Sequence, residues 1–345
     1  MNVHFQEEPE FVRSVKLVLS MVLVSLVLLI ATTGFFFFQN SENHPGEQAG
    51  VVLVESRQPE TQLWQAPDST LIPLTPEGDL IRYGRDLIAH TARYLGPEGK
   101  IKAISNGMNC QNCHLKAGTK PFGNNYSAVA SMYPRFRARS GTMESMEKRI
   151  NDCIERSLNG QKLDDSSVEM RAIISYFEWL GKDVKKGVAP KGTGLTALPF
   201  LKRAADVAKG KAVYAKHCQL CHGPEGSGTK HADSLEWTYP PLAGLQSYNV
   251  GAGLHRLSRL AGYVKSNMPN GTTFDNPVLS DEEAWDVAAY VSSLPRAVKK
   301  FPEDWPDIAT KPVDHPFGPY ADSFSETQHK YGPFEEINAA KVVKK

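Results

Sequence analysis

Cys110-Gln-Asn-Cys113-His114 and Cys218-Gln-Leu-Cys221-His222 repeat one pattern, C-x-x-C-H, and together use four of the chain's five cysteines. Two thiols spaced this way can add across the vinyl groups of a haem, and a histidine directly after them is placed to coordinate the iron. One short loop then supplies attachment and the proximal ligand together. The competing chemistry is zinc or a redox dithiol, but paired zinc motifs stand about 15–20 residues apart. These two lie roughly a domain length apart, and each ends in histidine. The strings therefore predict two covalently bound haem c groups, one held by Cys110, Cys113 and His114, the other by Cys218, Cys221 and His222. His114 and His222 are the expected iron ligands.

Haem iron has a sixth position, and its occupant separates electron carriers from reactive centres. Downstream of the second motif, Met268 stands in Ser266-Asn267-Met268-Pro269-Asn270-Gly271. A thioether ligand there raises the potential and suits electron exit; His255 is the reserve ligand, and a packing methionine is the plain alternative. Around the first motif Met108, Met132, Met143, Met146 and Met170 are available, yet the fifth cysteine, Cys153, stands out. On a helix, Arg149, Cys153 and Arg156 fall on one face. A thiol between two guanidiniums is held as thiolate, the form that ligates iron and acts as a nucleophile. A buried structural cysteine on the stripe of Met146, Ile150 and Ile154 fits the same spacing equally well. Arg135, Arg137 and Arg139 precede that helix in Tyr133-Pro134-Arg135-Phe136-Arg137-Ala138-Arg139-Ser140. Guanidinium forks match tetrahedral oxyanions, sulfonates among them, so the run reads as an anion pocket beside the first haem or as a solvated surface cluster.

The elements that position these residues are helical by periodicity. Gly78 to Leu95 predicts a leading helix before the first haem loop, followed by helices over Thr142–Leu158 and Ser167–Leu180, the last crossing the first. The second half repeats the plan with a helix through Ala205–Ala215, the loop at Cys218, and a helix over Asp281–Leu294 begun by a Ser280/Glu283 capping box. The predicted fold is all-α: two tandem cytochrome c-type haem domains over 77–181 and 204–298, joined by a linker over 182–203. A proline- and aromatic-bearing tail over 299–345 is expected to lie extended against the body.

At the N-terminus, residues 17–38 are a continuous apolar run flanked by Arg13 and Lys16 before it and acidic residues after it. That pattern predicts a transmembrane anchor with 1–16 in the cytoplasm and 39–76 as a periplasmic tether; a cleaved signal peptide is the alternative. Either way the haem domains are expected in the periplasm, where haem attachment takes place. A formal net charge of +1 gives no global field for nucleic acid.

The chain resembles the dihaem thiosulfate dehydrogenases from about Trp64 to the tail. The resemblance rests on Leu80-Ile-Arg-Tyr83-Gly84-Arg, the segment Asn106 to His114, Tyr133 to Gly141, Arg149-Ile-Asn-Asp-Cys153, Asn267-Met268-Pro269 and Asp314-His-Pro-Phe-Gly-Pro-Tyr320. It implies that Cys153 is the distal ligand of a catalytic first haem and Met268 that of an electron-transfer haem. It further implies that two thiosulfates are joined into tetrathionate, with Arg135, Arg137, Arg139, Arg149 and Arg156 as candidate sulfonate-binding residues and a periplasmic cytochrome as electron acceptor. Some relatives carry a lysine just before the methionine, where this chain has Asn267. The competing reading from another class is a membrane-tethered dihaem shuttle feeding a terminal oxidase, which leaves Cys153 and the arginines without a role.

Overall fold

The computed structural model describes residues 10–39, 62–233 and 235–343. The chain divides into two units, Met1–Arg57 and Gln58–Lys345. In the first, helix α1 spans Glu10–Gln39. The expected membrane anchor over 17–38 is not supported: among the described residues no helix is long and apolar enough to cross a membrane. The described apolar side chains from Leu17 to Ile30 are exposed. Of the expected cytoplasmic segment 1–16 and tether 39–76, residues 1–9 and 40–61 lie outside the described residues.

The second unit is mostly helical and holds two buried clusters, each closed by helices whose ends are written into the sequence. In the first lobe, α2 spans Pro76–Ala89, with Thr75 as N-cap and Pro76 in the first turn. Helix α3 is Met146–Arg156 and α4 is Val168–Leu180. In the second lobe, α5 is Val207–His217, α6 is Leu257–Asn267 and α7 is Asp281–Ser293. The Ser280/Glu283 capping box forms as expected.

Each lobe is locked where its leading helix crosses its closing helix, α2 on α4 and α5 on α7. A glycine sits at each crossing. A Cβ built on Gly84 would lie 1.9 Å from the Ala172 carbonyl oxygen, and one on Gly210 would lie 1.8 Å from that of Asp286. Tyr176 and Tyr290 sit against these glycines in the same way, which gives the sequence repeat its physical content.

Three expectations change. The leading helix does not run to Leu95: it ends at Ala89, and His90, at φ −129° and ψ 39°, starts a separate turn over Thr91–Leu95. The break turns the Thr91 hydroxyl toward the haem loop, where it accepts from the Cys110 N–H at 3.0 Å. Thr142–Glu144 is a strand rather than the start of α3. It is β2, paired antiparallel with β1, Arg135–Arg137, in the register Arg135↔Glu144 and Arg137↔Thr142. With a second ribbon, β3 (Thr229–Lys230) on β4 (Trp237–Tyr239), the architecture is mostly helical rather than all-α.

The tail, finally, is not simply extended. It ends in α8, Phe334–Val343, whose Phe334 and Ile337 enter the second core. Asp314 pins it to α6 by accepting from Ser258 N at 3.0 Å and Ser258 Oγ at 2.6 Å while pairing with Arg256.

Between the lobes, 182–203 is without helix yet stitched to the first haem loop. Phe122 N–H donates to Gly192 O at 2.7 Å and Asn124 N–H to Gly194 O at 2.9 Å. Glu236, beside β4, reaches the first lobe and accepts from Arg93 Nε at 2.7 Å and Asn109 Nδ2 at 3.0 Å.

Candidate functional site

Two cavities enclose the two C-x-x-C-H motifs. The first is walled by apolar residues of all three first-lobe helices, including Leu87, Ile88, Ile150, Ile154 and Phe177, and holds Cys110, Cys113 and His114. His114 Nδ1 lies 2.5 Å from the Asn124 carbonyl and the ring stacks on Tyr126 at 4.4 Å between centroids. Donation from Nδ1–H to that carbonyl leaves Nε2 as the metal-binding nitrogen. Burial pulls the ring down to about 4, so the neutral, ligating form prevails. The second cavity holds Cys218, Cys221, His222 and Met268. His222 repeats the arrangement, with Nδ1 2.8 Å from the Pro240 carbonyl. Paired thiols, an oriented neutral imidazole and apolar walls fit covalently attached haem in both places.

Cys153 lies in the first cavity, on the α3 face turned toward the attachment motif. Burial pushes the Cys110 thiol up to about 11 and the Cys113 thiol up to about 12, and the charge of Cys153 adds to both shifts. Arg149, one turn earlier on α3, is held more basic than a free guanidinium, chiefly by the negative charge of Cys153, with burial opposing. The β1–β2 ribbon brings Arg135 and Arg137 to the same cavity. Glu144, buried on β2, braces the ribbon: it accepts from Ser140 Oγ at 2.7 Å and lies 3.9 Å from Arg137 Nε.

The five candidate arginines therefore separate. Arg135, Arg137 and Arg149 face Cys153, whereas Arg139 and Arg156 do not line that cavity. Arg156 is buried and gives both terminal nitrogens to Asp304, at 2.7 and 2.8 Å, with its guanidinium 3.6 Å from the Phe301 ring centroid. Arg139, in the turn of the ribbon, lines a different cavity against the tail. Helical spacing placed Arg156 on the Cys153 face, but the partners that draw it away lie in the tail, about 150 residues downstream. His255, the reserve ligand, also lines the tail cavity, while Met268 lines the second haem cavity.

Sequence reasoning missed two contributors. Arg259 of α6 is lowered by desolvation of its guanidinium and then by the charge of Arg256, with smaller effects of Arg149 and Arg137, so it acts on the Cys153 cavity electrostatically without lining it. Nothing in its local pattern links it to them. Asn109, just before the first motif, lines both haem cavities, as does Cys113.

Comparison with known proteins decides the family. A family model described as SoxA/TsdA, cytochrome c domain, matches residues 100–185, and one described as cytochrome c matches 207–295. A thiosulfate dehydrogenase of Psychrobacter arcticus is 37% identical over 70% of this chain and 71% of its own length. One of Allochromatium vinosum is 35% identical over 73% of this chain and 91% of its own. The chain belongs to the thiosulfate dehydrogenase family. A solved member of that family, thiosulfate dehydrogenase (TsdBA) from Marichromatium purpuratum in its as-isolated form, matches with a TM-score of 0.63 and 32% identity. That match covers 68% of this chain and 50% of the solved chain, so this chain spans about half of that protein. Two cytochrome c domains imply covalently bound haem c, in keeping with the two cavities.

Proposed function

We propose that the chain is a tetrathionate-forming thiosulfate dehydrogenase whose reaction takes place beside Cys153. The observation that carries this reading is that one cavity gathers Cys153, the first C-x-x-C-H motif and the guanidiniums of Arg135, Arg137 and Arg149. In this reading His114 and Cys153 would hold the iron of the first haem, and His222 and Met268 that of the second. When bound, the haems supply two one-electron acceptors for the two electrons that coupling releases.

The protein's own residues do the rest. Thiosulfate is a dianion, and guanidinium forks on the ribbon and on α3 bind its sulfonate oxygens through charge-assisted hydrogen bonds. That orients its outer sulfur toward Cys153. A bond forms between Cys153 Sγ and the outer sulfur with loss of two electrons. The outer sulfur of a second thiosulfate then attacks the sulfur bound to Cys153, the Cys153 thiolate leaves, and tetrathionate is released. Run backwards, the same residues serve tetrathionate reduction, and the potentials of the two centres set the direction. Asn109 and Cys113 line both cavities, which supports electron exit through the second lobe to a cytochrome acceptor. Covalent haem attachment supports an exported, periplasmic location.

The test is anaerobic mixing of oxidised, haem-loaded protein with thiosulfate, followed by visible spectroscopy and assay of tetrathionate. Reduction with tetrathionate formed is the expected result. Cys153→Ala should keep both haems attached and lose turnover; retained turnover would remove Cys153 from the mechanism.

A further inference from the structure

A third cavity, of about 640 Å³, lies between the second lobe and the tail and has no lining residue in common with either haem cavity. Five of its lining residues carry positive charge, among them Arg139, Lys300 and Lys311. Its one lining acid is Asp304, both of whose oxygens are engaged by Arg156. Arg256 is paired with Asp314 and Lys299 lies 4.0 Å from Glu155, so the cations that leave the wall positive are Arg139, Lys300 and Lys311.

Two unpartnered nitrogens accompany them. His255 is 6% exposed, and its Nδ1 is buried without a hydrogen-bond partner. Arg139 Nε is likewise buried and unpartnered, with only an Nη1 bond to the Gly251 carbonyl, at 3.2 Å. A buried ring nitrogen and a buried guanidinium N–H are costly to leave without partners, so their retention here points to something that completes them. His315 is different: it accepts from Trp305 Nε1 at 3.0 Å and lies 3.1 Å from the Phe317 carbonyl, so both ring nitrogens are occupied. Burial first, and then the charges of Arg296, Lys330 and His315, pull His255 down to about 3, so its ring is neutral.

Three aromatic rings, Phe301, Trp305 and Phe317, share the remaining walls with aliphatic residues such as Val250, Val298 and Ile308. Soft sulfur packs favourably against aromatic rings. An anion with sulfonate oxygens at one end and divalent sulfur next to it therefore matches both kinds of wall, which sulfate does not.

We propose that this cavity is a second binding site for a sulfane-sulfonate dianion, with Arg139, His255 and Lys300 as its polar contacts. Arg139 lies in the turn joining β1 to β2, and the same ribbon presents Arg135 and Arg137 to the Cys153 cavity. One ribbon then carries guanidiniums for both sites, so the second site can hold an incoming thiosulfate or a departing tetrathionate. The choice of ligand rests on the function proposed above.

Calorimetric titration of full-length, haem-loaded protein tests the site. Thiosulfate is titrated into the Cys153→Ala chain, which cannot turn it over, and tetrathionate into the oxidised native chain; the two arms tell substrate from product. At least one of the two ions should bind at two sites per chain and bind the second at least tenfold more tightly than sulfate does. Arg139→Gln should remove one site and leave the other, and Lys300→Gln, at an exposed position, should weaken the same site if Arg139→Gln fails to fold. A single site for both ions, or two sites that neither substitution alters, overturns the proposal. Sulfate binding as tightly as either ion overturns the ligand class. A chain that oxidises thiosulfate yet binds at one site rejects this inference alone, whereas absence of thiosulfate oxidation rejects the functional reading.

Discussion

Arg156 and Asp304 form a two-point ion pair, at 2.7 and 2.8 Å, that ties the last turn of α3 to the tail. Arg156 ends the helix that carries Cys153, yet it does not line the Cys153 cavity. Removing one member leaves the other buried and uncompensated, at a cost of roughly 3–5 kcal/mol. Arg156→Ala should therefore lower the thermal midpoint sharply, and Arg156→Ala with Asp304→Ala should cost less than the sum of the two. Folded Arg156→Lys should keep its KM for thiosulfate; a raised KM would return Arg156 to the substrate-binding set.

Arg149 and Arg137 should behave oppositely. Each faces Cys153, so loss of one charge-assisted hydrogen bond to sulfonate costs about 1.5–3 kcal/mol, or roughly 10- to 100-fold in affinity. Steady-state kinetics of Arg149→Gln and Arg137→Gln should show that rise in KM, and Arg137→Gln should also lower the thermal midpoint because it leaves the buried Glu144 without its nearest cation. An unchanged KM in both would mean that the anion is bound elsewhere.

Gly84 and Gly210 predict paired folding defects. An added methyl would meet backbone carbonyl oxygen at 1.9 and 1.8 Å, and backbone cannot swing aside as a side chain can. Gly84→Ala and Gly210→Ala should each cost about 1–3 kcal/mol, toward the upper end, by spreading a helix crossing. Urea unfolding measures this, and a loss below about 1 kcal/mol would show that the crossings are not close-packed.

Asp314 predicts acid sensitivity of the tail. Burial alone would raise its carboxyl, but the charge of Arg256 and the hydrogen bonds from Ser258 outweigh this and hold it below the ordinary carboxylate range. A carboxyl lowered on folding adds stability above its unfolded value of about 3.9, and that stability is lost as pH falls through the lower folded value. Limited proteolysis of 299–325 should accelerate on acidification below about pH 4. Asp314→Asn should make cleavage fast at neutral pH and flatten the acid dependence.

Much of the chemistry was legible because it is local. C-x-x-C-H is a complete attachment device within five residues, and the Ser280/Glu283 capping box within four. The repeated helical plan of the two halves was likewise visible in the pattern, and Gly84 and Gly210 at the matching crossings gave its cause. What misled was periodicity read past its end. Thr142–Glu144 continued a helical stripe into what is β2, because cross-strand bonds to Arg135 and Arg137 outweigh a weak local preference. The break at His90 escaped notice for the same reason: the contact that rewards it, Thr91 with Cys110, spans 19 residues.

The sequence by itself determined two haem attachment motifs, their order, five of the helices around them and the presence of one unclaimed cysteine, since each is encoded in short spacings, whereas α6 and α8 were not legible in it. Only the tertiary structure decided which arginines that cysteine meets. Arg135, Arg137 and Arg149 reach its cavity, Arg139 turns to the tail and Arg156 is taken by Asp304. A guanidinium on a long flexible stem goes to the strongest partner within reach, and the packing of the tail against α3 and the ribbon determines which partner that is.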